Sequence, residues 1–367
     1  MSPLATRWPA SSLNGQPPVA ICQHPVENPE AIMNRLAWLL FACLIPLSLA
    51  APALAHHSAA AYDTQKEVKV TGTVVRYRFA NPHVYLTLQV KKDDGSMTTM
   101  EIEAGAASVL NGLGFNKDSV AAGDVVTVVG NPDRNKPTYL LGKDLYKQNG
   151  TYVPLNISSR SVYERSTATA TSIAGTWFSP PGEFAGFMGG TSRWALTEKG
   201  RAVAASVDPK ATIQKDCIPV GAPLLMFYPV ANTITVQRDR VVMNVDWMES
   251  QRIIYLDGRK HPPANETFLH GHSVGRWEGD TLVVETTNFK DHPMGLSMSV
   301  PGSSQKRLTE RFMLGEDRKA LVYSGVIEDP VYLVKPVQWS GRWEYRPTMR
   351  HSNQKCDIEV ARRFLTQ

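Results

Sequence analysis

Apolar and polar residues alternate over residues 68–79, again over 83–90 and again over 97–103. Alternation with period two is the signature of a strand with one buried face. Asp93-Asp94-Gly95-Ser96 separates the last two runs, and aspartate followed by glycine suits a hairpin turn, because glycine accepts positive φ and aspartate bonds to nearby backbone. Residues 105–114 read as a short helix ending on glycine, and strands over 124–130 and 138–146 follow on either side of the turn Asn131-Pro132-Asp133. Three strands, a helix and two strands is the order of an OB-like five-stranded barrel.

The alternation lapses over residues 158–172, a Ser/Thr/Ala/Arg stretch that predicts a linker. Beyond it, strands are predicted at 175–178, 193–197, 233–238, 240–247, 252–256, 274–277, 281–287, 306–314, 320–327 and 338–345, with one helix at 198–207. Turn pairs such as Asp257-Gly258 and Gly279-Asp280 punctuate them. Many short strands at hairpin spacing make the chain mainly β, with an antiparallel β-barrel, lipocalin-like, or a sandwich over 173–367. Glycine followed two residues later by tryptophan recurs at Trp177, Trp277 and Trp343. This resembles the first strand of lipocalin-like barrels, where an indole closes the barrel; Trp277, Leu282 and Val284 are expected in the core.

The amino-terminal segment changes the picture of where the protein works. Met33-Asn34-Arg35, the apolar run 36–50 and the small-x-small triplet Ala53-Leu54-Ala55 form a signal peptide over 33–55, with 1–32 a disordered or mis-start extension. The run is shorter than a membrane span and is interrupted by Pro46, and no other segment is apolar enough to cross a bilayer. The expected location is the periplasm or the exterior, with the first domain at 56–157. Cleavage leaves Cys217 and Cys356 as the mature cysteines; in an oxidising compartment they are expected to form one disulfide, the alternative being two separate thiols. The net charge of +5 is mild, and the basic spots Lys91-Lys92 and Arg76/Arg78 have Asp93, Asp94, Glu101 and Glu103 close by in sequence. Nucleic acid is therefore excluded as the expected partner.

His56-His57-Ser58, Tyr62-Asp63, Thr71-Gly72-Thr73-Val74 and Asn81-Pro82-His83 together resemble an exported bacterial family whose members begin at a histidine pair and carry the turn Asn-Pro-His. Arg252-Ile253-Ile254-Tyr255-Leu256-Asp257-Gly258-Arg259, His261-Pro262, Gly271-His272-Ser273 and the run from Gly275 to Val284 are similar to a second family of secreted β proteins. Comparable residues of that family fall at Cys217, at Glu328-Asp329-Pro330 and at Cys356. The resemblances imply architecture and no particular activity. His270 departs from the second family's pattern.

Two groups of residues carry candidate chemistry. A chain-terminal His56 offers amine and ring to one metal, and His57 or His83 would add the nitrogen that suits copper; the plain alternative is a pair of solvated histidines on a frayed terminus. In the second domain Arg252, Tyr255, Arg259, His261, His272 and Ser273 crowd into a short stretch. His272 would serve as general acid or base, Tyr255 as proton donor and Arg252 as anion holder, with Arg259, His261 and Ser273 binding ligand. His270 and His272, two apart on a strand, could also share a face and take His261 or His292 as a third metal ligand. A hydrogen-bond network fixing a long loop explains the same residues without function. No P-loop, GxGxxG, GxSxG or HExxH occurs. The expected function is the binding of a small, largely apolar molecule in the C-terminal β domain with no cofactor required. The alternatives are a cofactor-independent isomerase, hydratase or lyase built on His272, and copper binding through His56.

Overall fold

A computed structural model describes residues 61–159, 165–206 and 213–363, which belong to one compact unit. The expected signal peptide, the 1–32 extension, His56 and His57 lie outside the described residues.

The first barrel is built from β1 (Val68–Arg78), β2 (Tyr85–Lys91), β3 (Met97–Glu103), α1 (Ala107–Gly112), β4 (Val125–Pro132) and β5 (Tyr139–Lys147), with a short β6 (Tyr152–Pro154) added at the edge of β5. Strand β1 serves two neighbours. Its first half, Val68 to Thr73, pairs with β4; from Thr73 onward it pairs with β2, with a register shift between Val74 and Arg76. The parallel pair β3–β5 closes the cylinder, so the expected OB-like order is the observed one. Val74, Leu86, Leu88, Ile102, Leu110 and Val128 fill it. Gly72 is required where the two halves of β1 part: a Cβ there would lie 2.7 Å from the Gln89 carbonyl oxygen.

The second barrel contains β7 (Gly175–Phe178), β8 (Ala231–Val236), β9 (Arg240–Val245), β10 (Ser250–Tyr255), β11 (His272–Glu278), β12 (Thr281–Thr287), β13 (Arg307–Leu314), β14 (Ala320–Glu328) and β15 (Val337–Tyr345). These nine strands close on themselves through β15–β7, which settles barrel against sandwich. Every pairing is antiparallel except β10–β11, which run parallel over Ile254↔Ser273 and Tyr255↔Val274. Trp177 and Trp343 are fully buried, and their indole N–H groups donate to the Ile173 and Met226 carbonyls at 2.8 and 3.0 Å. Trp277 breaks the expectation: it is 41 % exposed, because it ends β11 beside the Gly279 turn. Leu282 and Val284 are in the core as expected.

Several elements differ from the pattern reading. Residues 193–197 form no strand; Leu196 makes only an isolated bridge to Leu333. The preceding stretch folds as α2 (Pro181–Thr191), which presents Phe184 and Phe187 to the core; the Phe187 ring stacks on Phe227 at 4.2 Å. The expected helix appears as α3 (Glu198–Ala205), capped by the Thr197 hydroxyl, which accepts from the Gly200 N–H. The expected linker is ordered along the second barrel where it is described: the Ser166 N–H donates to Glu344 and the Ala170 N–H to the Arg318 carbonyl, both at 2.8 Å.

The C-terminal segment ties the barrels together. Cys356 is disulfide-bonded to Cys217 and bridges to Asn81 of the first barrel. Asn81 is fully buried: its Nδ2 donates to the Gln354 carbonyl at 2.8 Å, and its Oδ1 accepts from the Ser108 N–H and hydroxyl at 3.1 Å. The Asn-Pro-His turn is thus a joint between α1, the first barrel and the tail. Helix α4 (Ile358–Arg362), whose first turn is capped by Asp357, completes the strap. Arg78 pairs with Asp357, and Arg363 reaches Glu101 at 2.7 Å. No described helix is long and apolar enough to cross a membrane.

Candidate functional site

On β10 the buried positions are Ser250, Arg252 and Ile254, while Tyr255 faces outward. On β11 Ser273 is buried and His272 is not. The six polar residues singled out from sequence therefore divide across the barrel wall.

Inside, Arg252 makes a two-pronged pair with Glu310 at 2.9 and 2.5 Å and donates to the Thr286 hydroxyl at 3.3 Å. Glu310 also accepts the Tyr323 hydroxyl at 2.9 Å, and Thr286 meets Ser273 at 2.9 Å. Burial works against the arginine charge, but the Glu310 carboxylate outweighs it and holds the guanidinium above its ordinary value. Arg252, Tyr323, Phe312, Trp177 and Trp343 are among the largest fully buried side chains, so at this level the barrel is filled by its own residues.

Outside, Tyr255 stacks on His272 with centroids 5.2 Å apart, and the Arg259 guanidinium lies 3.7 Å from the centroid of the Tyr255 ring. Asp257 receives the Arg259 Nε at 2.9 Å. His261 and His272 share a hydrogen bond between their Nδ1 atoms at 3.0 Å. Burial lowers both imidazoles, and for His272 the neighbouring His261 lowers it further. This layer pins the excursion 256–271 that joins the parallel strands. The same excursion is held from below by Asn288, whose Nδ2 donates to the carbonyls of Pro262, Pro263 and Glu266 at 3.2, 3.0 and 2.9 Å.

The arrangement brings His272, Tyr255, Arg259 and His261 together but places Arg252 and Ser273 on the opposite face of the sheet. His270 and His272 do not share a face either. Gly271 between them has φ +72°, and a Cβ there would lie 2.5 Å from Thr286 Cγ2. His270 turns inward, where burial and the Arg252 charge push it down to about 3. His292 is spent on backbone, with its ring nitrogens on the Pro219 carbonyl and the Met294 N–H, both at 3.0 Å. The three-histidine metal set does not assemble, and among the described residues no group of three or more His, Cys, Asp and Glu side chains could hold a metal. His83 bonds the Ala104 carbonyl at 3.2 Å beside Glu103.

Pattern reading missed a cleft on the first barrel. Where β1 leaves β2 below Gly72, its freed edge, the end of β2, the start of β3 and the loop before β5 enclose about 460 Å³. Val70, Val90 and Met100 contribute the apolar lining; Lys69, Lys91, Lys92, Thr71, Thr98 and Thr138 supply polar groups. Val70, Met100 and Pro137 also line an adjoining hollow of about 540 Å³ that reaches Val68, Leu140 and Arg134. Of the carboxylates near the lysines in sequence, Glu101 bonds Arg363 and Thr87, Glu103 the Tyr62 and Tyr85 hydroxyls, and Asp94 bonds Ser96 while still feeling the Lys92 charge. A further crevice of about 410 Å³ beside β6 is lined by Leu113, Tyr152, Val153 and Ile157. Lys147, which also lines it, is already paired with Asp124 at 2.9 Å.

Comparison with known proteins bears on the first barrel alone. Residues 45–140 match DUF6152, a family of unknown function, so that segment is similar to that family. No curated protein matches the chain.

Proposed function

We propose that this is an exported binding protein for small, largely apolar molecules, and that the first-barrel cleft is the seat. The observation that carries the reading is the cleft itself: an apolar lining of Val70, Val90 and Met100, open between a freed strand edge and the loop before β5. Its size falls in the range of roughly 300–1,000 Å³ common to small-molecule sites. The filled interior of the second barrel favours this seat over the C-terminal one anticipated from sequence. Export accords with the signal-like leader in the sequence and with the Cys217–Cys356 disulfide.

The test uses the mature protein and N-phenyl-1-naphthylamine, an uncharged probe that brightens in apolar surroundings. Saturable brightening is expected with wild type. Thr98→Trp, which fills the cleft from β3, should abolish it, whereas His272→Ala should leave it unchanged. Saturable binding that survives Thr98→Trp, or no saturable binding to wild type, would overturn the assignment.

A further inference from the structure

The geometry points to a ligand class for this seat: an amphiphile with an anionic head on an apolar chain, the head lying among Lys69, Lys91 and Lys92 and the chain running along Val70 and Met100. This inference rests on the binding function proposed above.

The argument is one of charge placement. Lys69, Lys91 and Lys92 stand at one end of the cleft. Among the described residues no carboxylate forms an ion pair with any of them: Glu101 is held by Arg363, and Asp94 acts on Lys92 only at longer range. At the far end both signs of charge are present: Lys66, Arg134, Asp63 and Asp133 line the hollow, and Arg134 lies 3.7 Å from Asp63. The passage thus has an end with three lysines outside any ion pair, an apolar middle of Val70, Met100 and Pro137, and an end where cations and carboxylates meet. Such a gradient selects a molecule with one charged terminus and orients it. Thr98 and Thr138 add hydroxyls that can donate to the same head, whereas the Thr71 hydroxyl already meets that of Thr127 at 2.9 Å.

Two features set this apart from a general anion patch or a nucleic-acid groove. The lysines border an apolar lining, so an anion without a chain gains only screened surface attraction. The residues lining the lysine end include no aromatic ring, and single-stranded nucleic acid on barrels of this kind relies on base stacking as well as on a basic track.

The experiment displaces bound N-phenyl-1-naphthylamine with eight-carbon ligands that differ only in the head: octanoate, octyl phosphate, octyl glucoside and octyltrimethylammonium, with acetate and inorganic phosphate as heads without chains. Octanoate and octyl phosphate are expected to displace the probe at concentrations at least about tenfold below octyl glucoside, since one charge-assisted contact is worth roughly a factor of ten. The cationic ligand should be weakest, and acetate and inorganic phosphate should not compete. The triple variant Lys69→Gln/Lys91→Gln/Lys92→Gln should bring the anionic and neutral ligands level while still binding the probe. If octyl glucoside matches octanoate on wild type while Thr98→Trp still abolishes probe binding, the anionic class is overturned and the seat stands. If the probe itself does not bind, both fall.

Discussion

Arg252 shows how one residue can look chemical and be structural. Its pair with Glu310 sits in a closed apolar barrel, where desolvation consumes much of the Coulombic gain. Arg252→Met alone would leave the Glu310 carboxylate buried with only Tyr323 to bond it, and should cost about 3–5 kcal/mol in urea denaturation. Arg252→Met with Glu310→Leu should recover most of that loss; a double variant as unstable as the single one would show that the pair is worth more than its hydrophobic replacement. Part of this was legible. Arg252 and Tyr255 are three apart on a strand, and odd spacing sends side chains to opposite faces, so their separation follows from the sequence. The partner Glu310 does not: it lies 58 residues on, across strands whose pairing no local signal announces.

Buried histidines set the acid side of stability. Burial pushes His292 down to about 4 and His270 to about 3, below the ordinary value near 6.5. The unfolded chain therefore takes up protons that the folded one refuses, and each histidine lowers stability as pH falls below about 6.5, by ~1.4 kcal/mol per pH unit. Asp246 acts in the opposite direction, since burial raises its carboxyl to about 6 and the folded form binds the proton first. From pH 6 to 4.5 these three groups sum to one group's slope, ~1.4 kcal/mol lost per unit of acidification, and His261, His272 and His351, also lowered by burial, add to it. His270→Leu should flatten the curve over that window, read by denaturation midpoints at several pH values; an unchanged slope would mean that His270 titrates normally.

At the scale of elements, hairpins were readable and closures were not. Strands joined by Asp-Gly or Gly-Asp turns carry their register in adjacent residues, which is why β2–β3 and β11–β12 stand where alternation puts them. The parallel pair β10–β11 depends instead on the excursion 256–271 being laid back over the barrel. Asn288, with φ +57°, performs that task through three carbonyls. Asn288→Gly keeps the backbone conformation and removes the donors, so amide exchange across 259–270 should quicken about tenfold, equivalent to ~1.4 kcal/mol. Exchange in β12 and β13 should not change; a barrel-wide increase would mean that the asparagine supports more than its loop. Helix α2 escaped notice because Gly182, Gly186, Gly189 and Gly190 erase the periodicity by which a helix is read.

For the whole molecule, the decisive contacts join distant parts of the chain. The Cys217–Cys356 bond spans 139 residues, and closing so long a loop stabilises by about 5 kcal/mol on the chain-entropy account. Reduction, or Cys217→Ser with Cys356→Ser, should lower the melting temperature and release the tail, seen as faster exchange at Asn81 and along 354–363. A melt indifferent to reductant would assign the docking to Asn81 and the ion pairs alone. The first-barrel cleft was invisible for the same long-range reason. Its lining comes from β1, the end of β2, β3 and the loop before β5, so no single stretch announces it.

That dependence on the tail gives the polypeptide an order of completion. The first barrel is translated early, yet Glu101 receives Arg363, and Asn81 receives Gln354, only after every strand of both barrels has been made. A product terminated before Gln354 would keep every strand of both cylinders while lacking its clasp. It would also leave Glu101 and Asn81 without these partners, so a full set of strands would not make a finished molecule.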